Sequence, residues 1–238
     1  MWVLARKNYG DSGLLVEFFT AEWGRCGAVV RGAYRKKRGG TLASLLQPFQ
    51  PLLVSMVGKG ELKTVRHVES PSAGYSLHGE ALIHGLYINE LLVRVLPRFD
   101  ASPRLFVEYG RAAERLGVDA SESTLRRFEL ALLSELGYRL NLQTDENGDF
   151  IREQIQYRFE PERGLCIAGV EEPRSSTAIL PGEQLLRLQR WWDEEHDLES
   201  CDLRALKRLT RMAIAQLTSG RTLHSQALVR NLRSHQRT

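Results

Sequence analysis

Cysteine is scarce. The 238 residues hold three, Cys26, Cys166 and Cys201, far apart and without a CxxC pair. An odd, dispersed set argues against a disulfide framework and for a reducing cytoplasm, and a four-cysteine zinc site is arithmetically impossible. No apolar run approaches the ~18 residues of a spanning helix. The opening MWVLARKNYGDSGLL has no apolar core ahead of a small-residue cleavage site, so neither a secretory signal nor a membrane contact is expected. Enzyme signatures are missing as well. There is no GxxxxGKS/T, no HExxH and no GxSxG. His67, His78, His84, His196, His224 and His235 form no cluster in the sequence. The expectation is a protein that is not an enzyme and uses no metal and no cofactor.

Lysine is rare beside arginine, 6 against 27. The guanidinium fork matches phosphate and carboxylate and stacks on bases, although genome composition yields the same ratio. The net charge of +4 hides a partition. Residues 1–72 carry 11 Lys/Arg and 5 Asp/Glu, residues 73–199 carry 14 and 23, and residues 200–238 carry 8 and 1. Two basic ends around an acidic middle suit a polyanion gripped by particular surfaces.

The first seventy residues read as five strands: Trp2 to Lys7, Leu14 to Thr20, Cys26 to Arg31, Pro48 to Val57 and Leu62 to Glu69. Thr41 is a candidate cap for a short helix, Leu42 to Leu46, between the third and fourth. Gly58-Lys59-Gly60-Glu61 is a hairpin signal. This is the element order of an OB-fold, a small, partly open Greek-key barrel whose loops after strands 1 and 4 often bind oligonucleotides. Those loops are Asn8 to Ser12 and Gly58 to Glu61. Arg35-Lys36-Lys37-Arg38 sit in the loop Gly32 to Gly40, a phosphate clamp or a solvated turn. Tyr9 and Tyr34 either stack bases or pack the barrel. Cys26 reads as a buried structural cysteine.

Ser70-Pro71-Ser72-Ala73-Gly74 has linker composition, giving domains 1–72 and 73–238. Ile83, Tyr87, Leu91 and Val95 put an apolar face on a helix from Gly79 to Leu96, which Pro97 stops. A second runs from Pro103 to about Leu116, and Leu125, Phe128, Leu132 and Leu136 mark a third. Helical periodicity fails over 141–180, where Ile155 to Phe159 and Leu165 to Val170 read as a hairpin. Pro181-Gly182 opens another helix, and Asp202 is the expected cap of one from Leu203 to Leu217. Arg204, Lys207, Arg208 and Arg211 share a face of that last helix. The fold class is therefore α+β: an N-terminal five-stranded OB-fold barrel, then a mainly helical domain with a small β insertion. Of Trp191-Trp192, one is expected in the core and the other half-exposed. The acids Asp193, Glu194, Glu195 and Asp197 read as a solvated helix end, with a metal-dependent nuclease as the enzyme-class rival.

LQPFQPL (46–52), GKGELKT (58–64), GLYINELLVRVL (85–96), LRRFELALLSELGY (125–138) and LRALKRLTRMAI (203–214) follow in the order and spacing of the RecO family, which the chain resembles over nearly its whole length. The resemblance implies a recombination mediator of DNA repair, cytoplasmic and nucleoid-associated. It implies binding of single- and double-stranded DNA and annealing of complementary strands. It further implies engagement of the C-terminal tail of single-stranded-DNA-binding protein and, with RecR, placement of RecA on coated strands in the RecFOR-type pathway. Many members carry a four-cysteine zinc site after the LGY motif. Here residues 141–169 hold only Cys166, so hairpin pairing and packing must hold that segment unless it is mobile.

Arg31, Arg35, Lys36, Lys37, Arg38, Lys59 and Lys63 are the expected DNA contacts. Arg126 stands at the family position implicated in tail binding, where a groove between helices with an arginine at its rim would take the terminal carboxylate. Arg127, Lys207 and Arg211 extend that set. A plain nucleic-acid-binding module with no dedicated partner is the other reading.

Overall fold

A computed structural model of the chain describes residues 1–36, 40–138, 140–169, 179–194, 198–218, 223 and 225. They fall into two compact units, one within Met1–Ser121 and Thr222–Thr238, the other within Glu122–Arg221. The fold is α+β, a five-stranded sheet followed by helices and a three-stranded sheet.

In the first unit, apolar and β-branched runs give β1 (Trp2–Tyr9), β2 (Gly13–Thr20), β3 (Gly24–Val30), β4 (Leu53–Val57) and β5 (Leu62–Glu69). The sheet order is β1-β2-β3-β5-β4, antiparallel except for β3 beside β5, as in an OB-fold. The sheet does not close into a barrel. Its edges β1 and β4 meet where Met1 and Leu52 exchange backbone hydrogen bonds of 2.8 and 3.0 Å. Val3, Leu14, Val16, Phe18, Cys26, Ala28 and Val30 fill the concave side with Leu46 and Leu52. Burial pushes the Cys26 thiol up to about 11, the behaviour of a packed, unreactive cysteine. The helix α1 (Leu42–Leu45) is capped as expected, the Thr41 hydroxyl accepting from the Ser44 amide at 3.1 Å. Arg6 reaches over from β1 to the carbonyls of Ala43 and Leu46 at 2.7 and 3.3 Å, satisfying the other end.

The Ser70–Gly74 stretch is tied down. Gln50 donates to the Ser72 carbonyl at 2.8 Å, and the Tyr75 amide donates to the Phe49 carbonyl at 3.0 Å. The helices α2 (Gly79–Val95) and α3 (Pro103–Val118) belong to the same compact unit as the sheet. Trp2 and Phe19, on the convex face, meet Tyr75, Phe106 and Tyr109 at ring separations of 5.5–6.4 Å. Trp2 stacks on Tyr75 and the other contacts are tilted or edge-on, arrangements that favour aromatic quadrupoles beyond the area they bury. Tyr109 is fully enclosed and donates to Asn89 at 2.7 Å, and burial raises its phenol. Ser225 donates through its amide and its hydroxyl to Glu90 of α2, both at 2.8 Å. Pro97 stops α2, leaving Leu96 extended.

The second unit holds α4 (Glu122–Glu135), β6 (Gln156–Glu160), β7 (Gly164–Ile167), β8 (Ile179–Pro181), α5 (Gly182–Glu194) and α6 (Ser200–Leu217). The expected hairpin is β6–β7. The third strand was not foreseen; β8 pairs with the other side of β6, Tyr157 opposite Leu180. The cysteine-poor segment is held by its own polar side chains. Asp145 accepts from the amides of Asn147 and Asp149 at 2.9 and 3.1 Å, Asn141 accepts from those of Gln143 and Thr144, and the Glu146 amide bonds the Leu165 carbonyl at 2.8 Å. Asn and Asp close such turns because their short side chains mimic a backbone carbonyl.

Asp202 is not the cap of α6. The helix starts at Ser200 with Glu199 at the cap position, and the Asp202 side chain is buried, accepting from Gln184 at 2.8 Å and from Arg187 Nε and Nη2 at 3.0 Å each. The bidentate fork of Arg187 and the amide of Gln184, both on α5, together engage both Asp202 oxygens, which a backbone cap would use only singly.

Gly24 opens β3 at φ +62°, where a Cβ would come within 1.7 Å of the Asp100 carbonyl oxygen. Gly24→Ala combines left-handed strain with a backbone clash. It should lower stability by at least about 2 kcal/mol, read as a fall in chemical-denaturation midpoint; an unchanged midpoint would mean that the turn and the Asp100 segment are not in contact.

Candidate nucleic-acid interface

The convex face of β2 and β3 is set by register. Leu15 pairs Val29, Glu17 pairs Gly27 and Phe19 pairs Arg25, while Gly27 and Val29 pair Leu62 and Thr64 of β5. Glu17 is the single acid among these residues. Arg25 Nη1 lies 3.4 Å from one of its oxygens, and Arg98 Nη2 holds the other. Arg25 also donates from Nε to the Leu96 carbonyl at 2.9 Å, and the Phe99 amide donates to the Arg25 carbonyl at 2.9 Å. Burial lowers the Arg25 pKa and Glu17 opposes that fall. Two arginines against one carboxylate leave this patch positive.

The expected DNA contacts divide by position. Arg31, Arg35 and Lys36 are exposed and follow β3, beside the β1–β2 turn, since Val30 pairs Leu14. Lys59 is exposed in the β4–β5 turn. Lys63 is half-buried; it donates to the Gly58 carbonyl at 3.0 Å and stands 5.2 Å above the Phe99 ring centre. Lys37 and Arg38 lie outside the described residues. Among the described residues, no carboxylate pairs with Arg31, Arg35, Lys36 or Lys59. Lys7 and Arg66, which sequence reasoning left out, are exposed and equally unpaired. Their signal was the strand alternation that turns them outward. Tyr9 and Tyr34 are about half exposed, so they do not pack into the core of the sheet; the Tyr34 hydroxyl donates to Asn8 at 2.6 Å. Trp23 and Phe99 are also exposed aromatics, at 43% and 38%.

The other set lies in the second unit. Arg126 is not at a rim. It is 4% exposed, its Nη1 is 2.8 Å from Glu129 Oε2, and it donates to the Thr210 hydroxyl of α6 at 3.1 Å. The physical reason is the helix repeat, which turns positions 126 and 129 inward together with Leu125, Phe128 and Leu132. Arg127 is half-buried and stacks over Trp191 and Trp192, its guanidinium carbon 4.6 and 5.8 Å from the ring centres, while donating to the Trp191 carbonyl at 3.2 Å. Trp191 is core and Trp192 half-buried. Leu130, Ser134, Leu140, Leu142, Gln189 and Trp192 line a shallow pocket beside this stack. Lys207 leaves the basic face of α6 to pair with Glu122, while Arg204, Arg208 and Arg211 stay exposed, with no ion pair among the described residues. Among the described residues no group of three or more His, Cys, Asp or Glu could hold a metal, and no helix is long and apolar enough to cross a membrane.

Two family models match the chain, Recombination protein O N terminal over residues 2–72 and Recombination protein O C terminal over 77–227. The chain is 41% identical over 233 residues to the DNA repair protein RecO of Halorhodospira halophila, covering 98% of this chain and 96% of that protein. It is 39% identical to the RecO of Methylococcus capsulatus, covering 97% and 91%, and 40% identical to that of Escherichia coli O1:K1, covering 96% and 92%.

The Asp202 site makes a pH prediction. Burial alone raises its carboxyl, but the bonds from Arg187 and Gln184 outweigh that and hold it below the ordinary value. A carboxyl depressed in the folded state contributes stability above its unfolded pKa and loses it as the pH falls through the folded one. Between pH 7 and about pH 3, the wild-type chain should therefore lose more thermal stability than Asp202→Asn does; parallel melting-temperature profiles would contradict the pairing.

Proposed function

Because the chain belongs to the RecO family of DNA repair proteins, we propose that it is a recombination mediator that binds single- and double-stranded DNA and anneals complementary strands without catalysing a covalent step. In this reading residues 1–72 carry the DNA-binding sheet. The observation that carries it is the set Arg31, Arg35, Lys36 and Lys59: exposed, without a carboxylate partner among the described residues, and flanking the β2–β3 face at both ends. Cations without acidic partners displace counterions from phosphates, whereas paired ones must first break their own bridges. Annealing needs two strands held close with their repulsion screened, which raises effective concentration. The exposed Arg204, Arg208 and Arg211 of α6 offer a second basic face for that.

The partner reading follows from chemistry. A peptide tail with acidic residues, an apolar tip and a free carboxylate needs an apolar pocket beside an arginine. Arg127 over Trp192, beside a water-sized hollow of about 20 Å³ lined by Leu130, Leu140 and Leu142 together with Ser134 and Gln189, is the place this reading gives to the tail of single-stranded-DNA-binding protein, whose apolar tip must part those walls to enter. Lys207 and Arg211 extend it. Arg126 then acts from below, fixing α4 against α6 through Thr210. With RecR, the bound protein helps place RecA on coated strands in the cytoplasm.

Neutralising Arg31, Arg35, Lys36 and Lys59 together to alanine should make the log–log salt dependence of oligo-dT binding shallower by about 2.8, ~0.7 per phosphate, and slow annealing. An unchanged slope removes the sheet as the DNA surface. For the tail, Arg127→Ala should weaken binding of a fluorescent tail peptide by about tenfold or more and leave binding of naked DNA intact; equal loss of both removes the assignment. Arg126 is a poor handle for this test, because deleting a partner of a buried pair costs about 3–5 kcal/mol in folding.

A further inference from the structure

Phe99 combines three properties that its surroundings do not require. Its backbone is left-handed, φ +57°, a conformation that bulky residues rarely adopt. It is 38% exposed although it is a large aromatic. It is also held at the convex face of the sheet by a segment outside the five strands. Pro97 stops α2, Arg98 grips Glu17, the Phe99 amide bonds the Arg25 carbonyl at 2.9 Å, and the Asp100 carbonyl packs where Gly24 leaves no room for a Cβ. A residue that only filled space would turn inward, and one that only made the turn would be glycine or asparagine. Backbone strain kept by surrounding bonds collects at ligand sites.

A cation faces the ring. Lys63 Nζ is 5.2 Å above its centre, and the neighbouring Arg98 and Arg25 share Glu17 as their only acid among the described residues. Trp23, exposed in the β2–β3 turn, precedes the Gly24 that meets Asp100. An aromatic ring with an exposed side and flanking cations is what an unpaired base needs: stacking on the ring and neutralisation of its neighbouring phosphates. Duplex bases are already stacked and cannot use it.

We propose that Phe99, presented by the Arg98–Asp100 segment on the outer face of β2 and β3, is a stacking platform for an unpaired nucleobase, with Lys63, which no carboxylate holds among the described residues, neutralising an adjoining phosphate. This rests on the reading that the sheet binds DNA. It adds a base-dependent, single-strand-selective contact supplied from outside the five-stranded sheet.

The test measures affinity of the full chain for a dT oligomer, for an abasic oligomer of the same length with the same phosphates, and for a duplex. Wild-type protein should bind dT about five- to a hundredfold more tightly than the abasic strand. Phe99→Gly should lose that margin on dT and leave abasic and duplex affinities unchanged, with a melting temperature equal to or above wild type, since glycine relieves the left-handed strain. Phe99→Leu, which keeps apolar bulk and strain but has no π face, should lose the same margin, and Phe99→Trp should keep it. Undiminished dT affinity in Phe99→Leu overturns the proposal, as does an equal loss on abasic and dT strands in Phe99→Gly. Wild-type protein that binds none of the three overturns the DNA-binding reading itself, a different outcome.

Discussion

The carboxylate of Glu17 holds the outer face of the sheet in order. It is half-buried on β2, it faces two arginines, and one of them, Arg98, comes from beyond α2. Without that acid, Arg25 and Arg98 would repel, and only the bonds of Arg25 to Leu96 and Phe99 and the packing of Asp100 on Gly24 would keep the post-helix segment on β3. With it, Arg25 is free to fix the chain on both sides, through the Leu96 carbonyl and the Phe99 amide. The pair is desolvated enough to matter and exposed enough to leave a surplus positive charge. The aromatic cluster of Trp2, Phe19, Tyr75, Phe106 and Tyr109 acts on the same face, so the helices α2 and α3 and the sheet form one compact body.

Charge in this chain is partitioned by pairing as much as by count. In the acidic middle, arginines are engaged: Arg94 with Glu90, Arg158 with Glu160, Arg163 with Glu146, Arg187 with Asp202. Around the sheet, Lys7, Arg31, Arg35, Lys36, Lys59 and Arg66 have no such partner among the described residues. A phosphodiester approaching the molecule therefore meets unspent cations on the sheet and on the Arg204–Arg211 face of α6. That distribution is what a mediator needs if it is to hold strands without gripping them by shape or sequence.

Much of the frame was legible in the sequence, and the misses have causes. The five strands, the short helix capped by Thr41 and the helices α2 to α6 announce themselves by apolar period and by punctuation at Pro97, Gly137 and Gly182. The strand β8 was not legible, because three residues carry no period and its partner β6 lies more than twenty positions back. Asp202 was misread because a local rule for helix starts competes with an arginine fifteen residues earlier that only the fold brings near. Lys207 was grouped with its helix neighbours, yet Glu122, far away in sequence, claims it. Arg126 was legible as a residue of consequence but not as a buried one; charge suggests the surface, and only the inward turn of α4, with Glu129 beside it, overrides that. The Arg25–Glu17–Arg98 set and Phe99 were invisible for the same reason: eighty-one positions separate Glu17 from Arg98.

The central claim is that nucleic acid lies along the exposed cations at the two ends of β2 and β3, Arg31, Arg35 and Lys36 at one and Lys59 at the other, and photo-crosslinking tests it most directly. The full chain, bound to a single strand carrying iodo-uracil and irradiated, would be digested and its adducts located by mass spectrometry. The account predicts adducts at the exposed aromatics of the first unit, Tyr9, Trp23, Tyr34 and Phe99. Adducts confined to residues 122–199, or none at any aromatic of the sheet face while binding is intact, would contradict it.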